Sequence, residues 1–142
     1  ETAFNPTLKN EMRNFYFEQR NKYSYNNNQL IIDKMPLNLV YTGEIVRFFP
    51  NAKFIFVIRN PYDAVLSSFM QQFLPNDAML NLTNIKDATQ LYDIVMNLWF
   101  KYNDIFNLNV HTIKYEDLIS NFKGSVSNLL KFFANFQKFR KF

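Results

Sequence analysis

The segment that most constrains the fold is an apolar run followed at once by a helix-start signal. Lys53–Ile58 has an apolar side chain at every position after the first, and it is rich in β-branched and aromatic residues. Such runs are typical of strands covered on both faces, as in parallel sheets. Asn60 and Pro61 fit the N-cap and first helical positions, and Asp63 stands three residues after the cap. We expect a buried strand that turns directly into a helix reaching about Phe73.

Similar patterns predict two more strands and three more helices. Short apolar runs beside turn residues mark the strands, and apolar side chains spaced three and four apart mark the helices. The strands are Gln29–Ile32 and Val110–Tyr115, and the helices are Leu39–Phe49, Asp87–Phe106 and one that begins near Phe122. Strands that alternate with helices are typical of an α/β fold with a parallel sheet. We expect one domain over residues 1–142, with Trp99 in its core.

Arg59 and Ser67 form a candidate anion site at the carboxyl end of the central predicted strand. Ligands of parallel α/β sheets bind beyond this end of the strands. Arg59 stands beside the start of the following helix, whose free N–H groups and dipole attract anions. Ser67 lies two turns along that helix, on the face where it begins. The alternative is that Arg59 pairs with Asp63 and Ser67 is an ordinary surface residue; spacing alone leaves both readings open.

The other two predicted strands also end in polar residues at the same edge of the sheet. Lys34 follows the first strand, while Tyr115 and Glu116 end the third. A lysine at this edge can neutralise charge on a group that is being transferred. The alternative is a solvated lysine that pairs with the neighbouring Asp33. We expect Glu116 to cap or pair locally rather than to catalyse.

Three segments around these positions resemble the sulfotransferases that use 3′-phosphoadenosine-5′-phosphosulfate (PAPS). They are Asp33–Asn38, Phe49–Ser67 and Lys114–Leu118, and their order and spacing make the match specific. The resemblance is strongest to the branch that holds protein-tyrosine sulfotransferases and bacterial, often repeat-linked, relatives. It implies a P-loop-like parallel sheet flanked by helices.

The resemblance also implies a role for each matching residue. Arg59 and Ser67 would bind the 3′-phosphate of PAPS, and Tyr115 would lie against the nucleotide. Lys34 would stabilise the sulfuryl group during an in-line transfer, which we treat by analogy with phosphoryl transfer. PAPS is then the expected co-substrate, without a metal ion. The expected acceptor is a hydroxyl group of a protein tyrosine, a carbohydrate or a small alcohol.

Two departures from the family pattern concern the ends of the chain. The sequence contains two glycines, Gly43 and Gly124, and neither stands in the glycine-rich loop that holds the 5′-phosphosulfate. We expect that loop, the first strand and the catalytic base to lie before Glu1, and the segment that closes over the nucleotide to be missing after Phe142. The chain is therefore expected to be a partial sulfotransferase domain with the 3′-phosphate half of the site, inactive and prone to aggregate by itself.

Net charge and cysteine content indicate which partners and which cellular compartment to expect. The net charge of +4 comes from 16 basic and 12 acidic residues, and much of the excess lies within Lys131–Lys141. Because no broad basic stripe is present, we expect no nucleic-acid partner, and we expect no membrane contact. The absence of cysteine favours the cytoplasm, with a secretory lumen as the alternative. The oligomeric state is left open.

Two other functions remain to be compared with sulfuryl transfer. A nucleotide-dependent kinase of related architecture is disfavoured because the chain has no G-x-x-x-x-G-K-[ST] loop. A degenerate interaction domain could keep the same fold without activity. We expect His111, the single histidine, to be a core-edge residue of the third strand rather than a base.

Overall fold

The computed structural model describes residues 6–23, 30–74 and 76–137. These ranges contain six α-helices, two β-strands and a 3-10 helix over Met79–Leu82. In chain order they are α1 (Pro6–Asn21), α2 (Thr42–Phe48), β1 (Phe54–Ile58), α3 (Pro61–Met70), α4 (Ile85–Phe106), β2 (Val110–Lys114), α5 (Tyr115–Ser120) and α6 (Phe122–Gln137). The predicted α/β class is confirmed: the described part holds a small parallel sheet flanked by helices.

The sheet is formed by β1 and β2, which run parallel with one continuous register. Phe54 lies opposite Val110, and Ile58 lies opposite Lys114. The two strands are joined by α3, the 3-10 helix and α4, the kind of long crossover that parallel strands require. Both strands were predicted from their apolar patterns, and their bounds differ from the prediction by one residue.

The core lies between β1 and α4. Phe56 and Trp99 are 6% and 3% exposed, and their rings stack with centroids 4.7 Å apart. Phe54, on the same face of the strand, meets Trp99 edge-on at 5.9 Å. The predicted core position of Trp99 is confirmed. Aromatic burial of this kind stabilises a fold through apolar area and ring geometry together, so this contact fixes β1 on α4.

The opposite face of the sheet is only partly covered. His111 of β2 stacks on Phe132 of α6 with centroids 5.3 Å apart. Lys53 donates a hydrogen bond from Nζ to the Phe132 backbone carbonyl at 2.5 Å. Val57, by contrast, is 58% exposed. The expectation that β1 is covered on both faces is therefore wrong for the end of the strand. The contacts of Phe132 with Lys53 and His111 lie near the beginning of the sheet.

The helix α1 packs on α2, and α2 packs on α4. Tyr16 of α1 packs edge-on against Phe49 at 5.1 Å. In α2, a Cβ atom on Gly43 would lie 3.0 Å from the Tyr102 ring, so the glycine permits close helix contact. Thr42 is fully buried, and its hydroxyl donates to the Asn38 carbonyl at 3.2 Å.

One predicted strand is wrong, one predicted helix ends early, and two helices were not predicted. Leu30–Ile32 has irregular backbone and exposed side chains, and Gln29 lies outside the described residues. A strand is defined by a ladder of hydrogen bonds, and no described strand pairs with this segment. The helix α3 ends at Met70 rather than near Phe73. The short helix α5 was not predicted, and neither was α1.

Candidate functional site

The register of the sheet brings the ends of β1 and β2 together. Ile58 and Lys114 are the last paired residues. One residue further, the Arg59 guanidinium carbon lies 5.0 Å from the centre of the Tyr115 ring. One residue further again, the backbone N–H of Asn60 donates to Glu116 Oε1 at 2.8 Å. The two strand-to-helix junctions therefore meet residue by residue.

The start of α3 is built as its sequence predicts. The Asn60 side chain accepts a hydrogen bond from the Tyr62 N–H at 3.0 Å, and Pro61 occupies the first helical turn. An asparagine cap and an early proline stabilise a helix start because they satisfy free N–H groups and preset the backbone. The helix packs against α4. The cap and the packing on α4 together stabilise α3.

Arg59 stands at this junction with part of its guanidinium unsatisfied. The side chain is 39% exposed, and Nη2 lies 3.9 Å from Asp63 Oδ2. That distance is at the outer limit of an ion pair, and both partners are accessible to solvent, so the pair is weak. Arg59 Nε is shielded from solvent and makes no hydrogen bond within the described part of the chain. A buried donor without a partner is uncommon in folded proteins.

Arg59 and Ser67 line one surface cavity of about 460 Å³. Asp63 and Ser67 are four residues apart and so lie on one face of α3, and Arg59 lines the same cavity from just before the helix. Gln71 and Gln72 add amide groups at the far end of the cavity. The structure thus brings together three of the four predicted site residues, because Tyr115 also contacts Arg59. The acidic Asp63 is part of the same cavity.

Glu116 was expected to cap or pair locally, with no partner named. Its carboxylate accepts from the Asn60 N–H and lies near the charges of Arg59 and Lys114. The hydrogen bond from Asn60, followed by one from its own backbone N–H, lowers the pKa of Glu116. The sequence held no sufficient signal for the bond from Asn60, because the equal offset of Asn60 and Glu116 from the last strand pair is set by the register of the sheet.

Lys34 lies in a different cavity, of about 670 Å³, between α1 and the irregular segment Leu30–Asp33. The side chain is exposed, and no described residue of the Arg59 cavity also lines this one. The pairing of Lys34 with Asp33, which was the alternative to a role in transfer, is not found among the described ion pairs. Instead, the Tyr16 hydroxyl donates to Asp33 Oδ2 at 3.3 Å. Burial, followed by the Asp33 carboxylate, raises the pKa of Tyr16.

Neither a membrane-spanning helix nor a metal cluster is found in the described ranges. No helix there is long and apolar enough to cross a membrane. Within residues 6–23, 30–74 and 76–137, no three His, Asp or Glu side chains are grouped so that they could hold a metal ion.

A small parallel sheet flanked by helices places this protein in the α/β class, with Arg59 at the carboxyl edge of the sheet beside the capped start of α3. The sulfotransferase family model matches residues 3–135, so the chain belongs to the sulfotransferase family. It is also similar to an uncharacterized protein of Aquifex aeolicus (strain VF5), with 29% identity over 72% of this chain. The chain spans 14% of the length of that relative. No solved structure matches.

Proposed function

We propose that this chain carries the 3′-phosphate-binding half of the active site of a PAPS-dependent sulfotransferase. The protein would move a sulfuryl group from PAPS to a hydroxyl acceptor. The observation that carries the proposal is the partly exposed Arg59 guanidinium, whose ion pair with Asp63 is weak and which lines a cavity together with Ser67. The family match supports a transferase and gives no support to the kinase alternative.

The side chains at the sheet edge suit the 3′-phosphate. Arginine offers several N–H donors in a fixed plane and binds phosphate oxygens in pairs. The Ser67 hydroxyl supplies another donor on the same face of α3. The Tyr115 ring supports the guanidinium from the side and offers a flat apolar surface near a nucleotide base or sugar. Phosphate binding to the exposed guanidinium would therefore compete only with the weak Asp63 ion pair.

The second cavity suits the other end of the same ligand. PAPS carries negative charge at its 3′-phosphate and at its 5′-phosphosulfate, and the chain offers Arg59 and Lys34 in two separate cavities. In the reaction, the acceptor oxygen would bond to sulfur while the bond from sulfur to the phosphate oxygen breaks. Lys34 would neutralise the charge that develops on the transferring and leaving oxygens. The acceptor proton would pass to a general base, to which we assign no residue.

The remaining parts of the proposal follow from family likeness and composition. The P-loop-like arrangement of the sheet and the use of PAPS without a metal ion are carried over from the resemblance. The acceptor is placed only as a hydroxyl compound: protein tyrosine, carbohydrate or small alcohol. A cytoplasmic location is supported by the absence of cysteine alone.

Nucleotide binding to the intact protein tests the phosphate assignment. We would measure the affinity for adenosine 3′,5′-bisphosphate (PAP) and for adenosine 5′-phosphate (AMP), which lacks the 3′-phosphate. We expect Arg59→Ala to weaken PAP binding about 10- to 100-fold, the value of lost charge-assisted hydrogen bonds, and to leave AMP binding unchanged. Arg47→Ala, an exposed arginine on α2 outside both cavities, is the matched control.

The outcomes separate the candidate functions. Equal PAP affinities for the wild-type protein and Arg59→Ala would contradict the 3′-phosphate assignment. Specific PAP binding without sulfuryl transfer to any acceptor would favour the degenerate interaction domain instead.

A further inference from the structure

A single hydrogen bond ties the two strand-to-helix junctions together. Glu116 belongs to the first turn of α5, yet its carboxylate accepts from the backbone N–H of Asn60 in the other junction at 2.8 Å. The two residues are 56 positions apart in sequence. They meet because each stands two residues beyond the last pair of the parallel register, Ile58 and Lys114.

The bonded N–H belongs to the peptide that directly follows Arg59. Fixing the Asn60 N–H fixes the plane of that peptide, and hence the direction in which the Arg59 side chain leaves the backbone. The Asn60 side chain is already committed to the Tyr62 N–H. Without Glu116, the peptide between Arg59 and Asn60 would depend on solvent for its hydrogen bond.

The Tyr115 ring also restrains Arg59, through contact with its guanidinium. It lies 5.0 Å from the Arg59 guanidinium carbon and directly precedes Glu116. The backbone of Arg59 is therefore held by Glu116 while its guanidinium rests beside Tyr115. Arg59 lines one cavity together with Ser67, so the position of its guanidinium bears on what that cavity can bind.

We propose that Glu116 is a positioning residue that orients Arg59 for the 3′-phosphate by accepting the Asn60 N–H. This inference rests on the proposed function, since it assumes that Arg59 binds that phosphate. It assigns Glu116 no contact with the ligand. The role requires a hydrogen-bond acceptor at the reach of a glutamate side chain, and it does not require negative charge.

The negative charge of Glu116 would have the opposite effect on phosphate binding, and the two effects can be distinguished by substitution. The carboxylate lies near Arg59 and Lys114, so it reduces the positive potential that attracts an anion. If charge were the main effect, removing it would tighten phosphate binding. If positioning is the main effect, removing the acceptor weakens phosphate binding, and removing the charge alone has little consequence.

Three substitutions of Glu116 in the intact protein distinguish the effect of its hydrogen-bond acceptor from the effect of its negative charge. Glu116→Gln keeps an oxygen acceptor at the same reach, Glu116→Asp keeps the charge on a side chain one carbon shorter, and Glu116→Ala removes both. We expect Ala and Asp to weaken PAP binding about three- to tenfold, the range for one lost hydrogen bond. We expect Gln to bind PAP as the wild-type protein does. AMP affinity should be unchanged in all three, since AMP has no 3′-phosphate.

The neighbouring Asp117 provides the matched control. It has the same charge and lies in the same first turn of α5, and no contact of its carboxylate is found in the described chain. Asp117→Ala should leave both PAP and AMP affinities unchanged. A general loss of α5 structure would lower the affinity for both nucleotides and would not be rescued by glutamine.

Each outcome decides the question. An unchanged preference for PAP over AMP in Glu116→Ala would overturn the positioning role while leaving the proposed function intact. Tighter PAP binding in both Ala and Gln variants would overturn it too, and would show that the carboxylate competes with phosphate. If the wild-type protein itself does not prefer PAP over AMP, the proposed function fails, and this inference fails with it.

Discussion

The two cationic regions of this protein are built in opposite ways. Arg59 leaves the end of a paired strand, precedes a capped helix, and is held by residues from a second strand-to-helix junction. Lys34 follows an irregular, exposed segment that pairs with no described strand. The sheet register fixes the position of Arg59, whereas the position of Lys34 depends on packing against α1. The proposed phosphate-binding region is thus held by the sheet, and the proposed transfer region is less constrained.

The largest expected effect concerns the core that supports the first region. Phe56→Ala removes a buried ring that stacks on Trp99, and we expect it to lower the free energy of unfolding by about 3–5 kcal/mol. Val57→Ala, the next residue on the same strand but largely exposed, should cost far less. Chemical denaturation of the intact protein would measure both. Similar losses for the two variants would show that the β1–α4 contact does not anchor the sheet.

The next effect concerns the second region and should appear in the rate rather than in binding. Lys34→Ala is expected to lower kcat for sulfuryl transfer about 100- to 1000-fold, as removal of a positioned charge does, with PAP affinity nearly unchanged. Lys101→Ala, exposed on α4, is the control. Steady-state kinetics and PAP titration would separate the two quantities. A loss of PAP affinity in Lys34→Ala with unchanged kcat would assign Lys34 to ground-state binding instead.

The smallest effect refines the first region. Ser67→Ala should weaken PAP binding about three- to tenfold by removing one hydroxyl donor. The adjacent Ser68 donates to the Ala64 carbonyl within α3, so Ser68→Ala should leave PAP affinity unchanged. Calorimetric titration of the two variants checks this difference. If the Ser68 variant loses as much affinity as the Ser67 variant, the assignment of the α3 face is wrong.

The parts of the fold that sequence predicted are those set by local chemistry. The junction from β1 to α3 was predicted because an apolar run, an N-cap asparagine and an N1 proline all act within a few residues of each other. The long helix α4 was predicted from its apolar stripe, and Trp99 was correctly placed in the core. The carboxyl edge where Arg59 and Tyr115 meet follows from the parallel pairing of two strands.

The parts that could not be predicted depend on distant partners. Leu30–Ile32 has the composition of a buried strand, but composition does not supply the neighbouring strand that a ladder needs. The helix α1 packs through Tyr16 and Phe17 on Phe49, a contact that only tertiary structure defines. The bond between Asn60 and Glu116 was missed for the same reason, since it requires the register of β1 against β2.

The meeting of the two junctions also sets a rule for how the chain can change in length. Inserting one residue of any type between Ile58 and Arg59 would set Arg59 and Asn60 against different residues of the other junction. The turn after α4 is different: Asn107 adopts the left-handed conformation there at φ 47°, ahead of the first paired residue of β2. Added residues in that turn would lengthen a loop and leave the pairing intact. Length variation among related chains should therefore be found there and be absent at the two junctions.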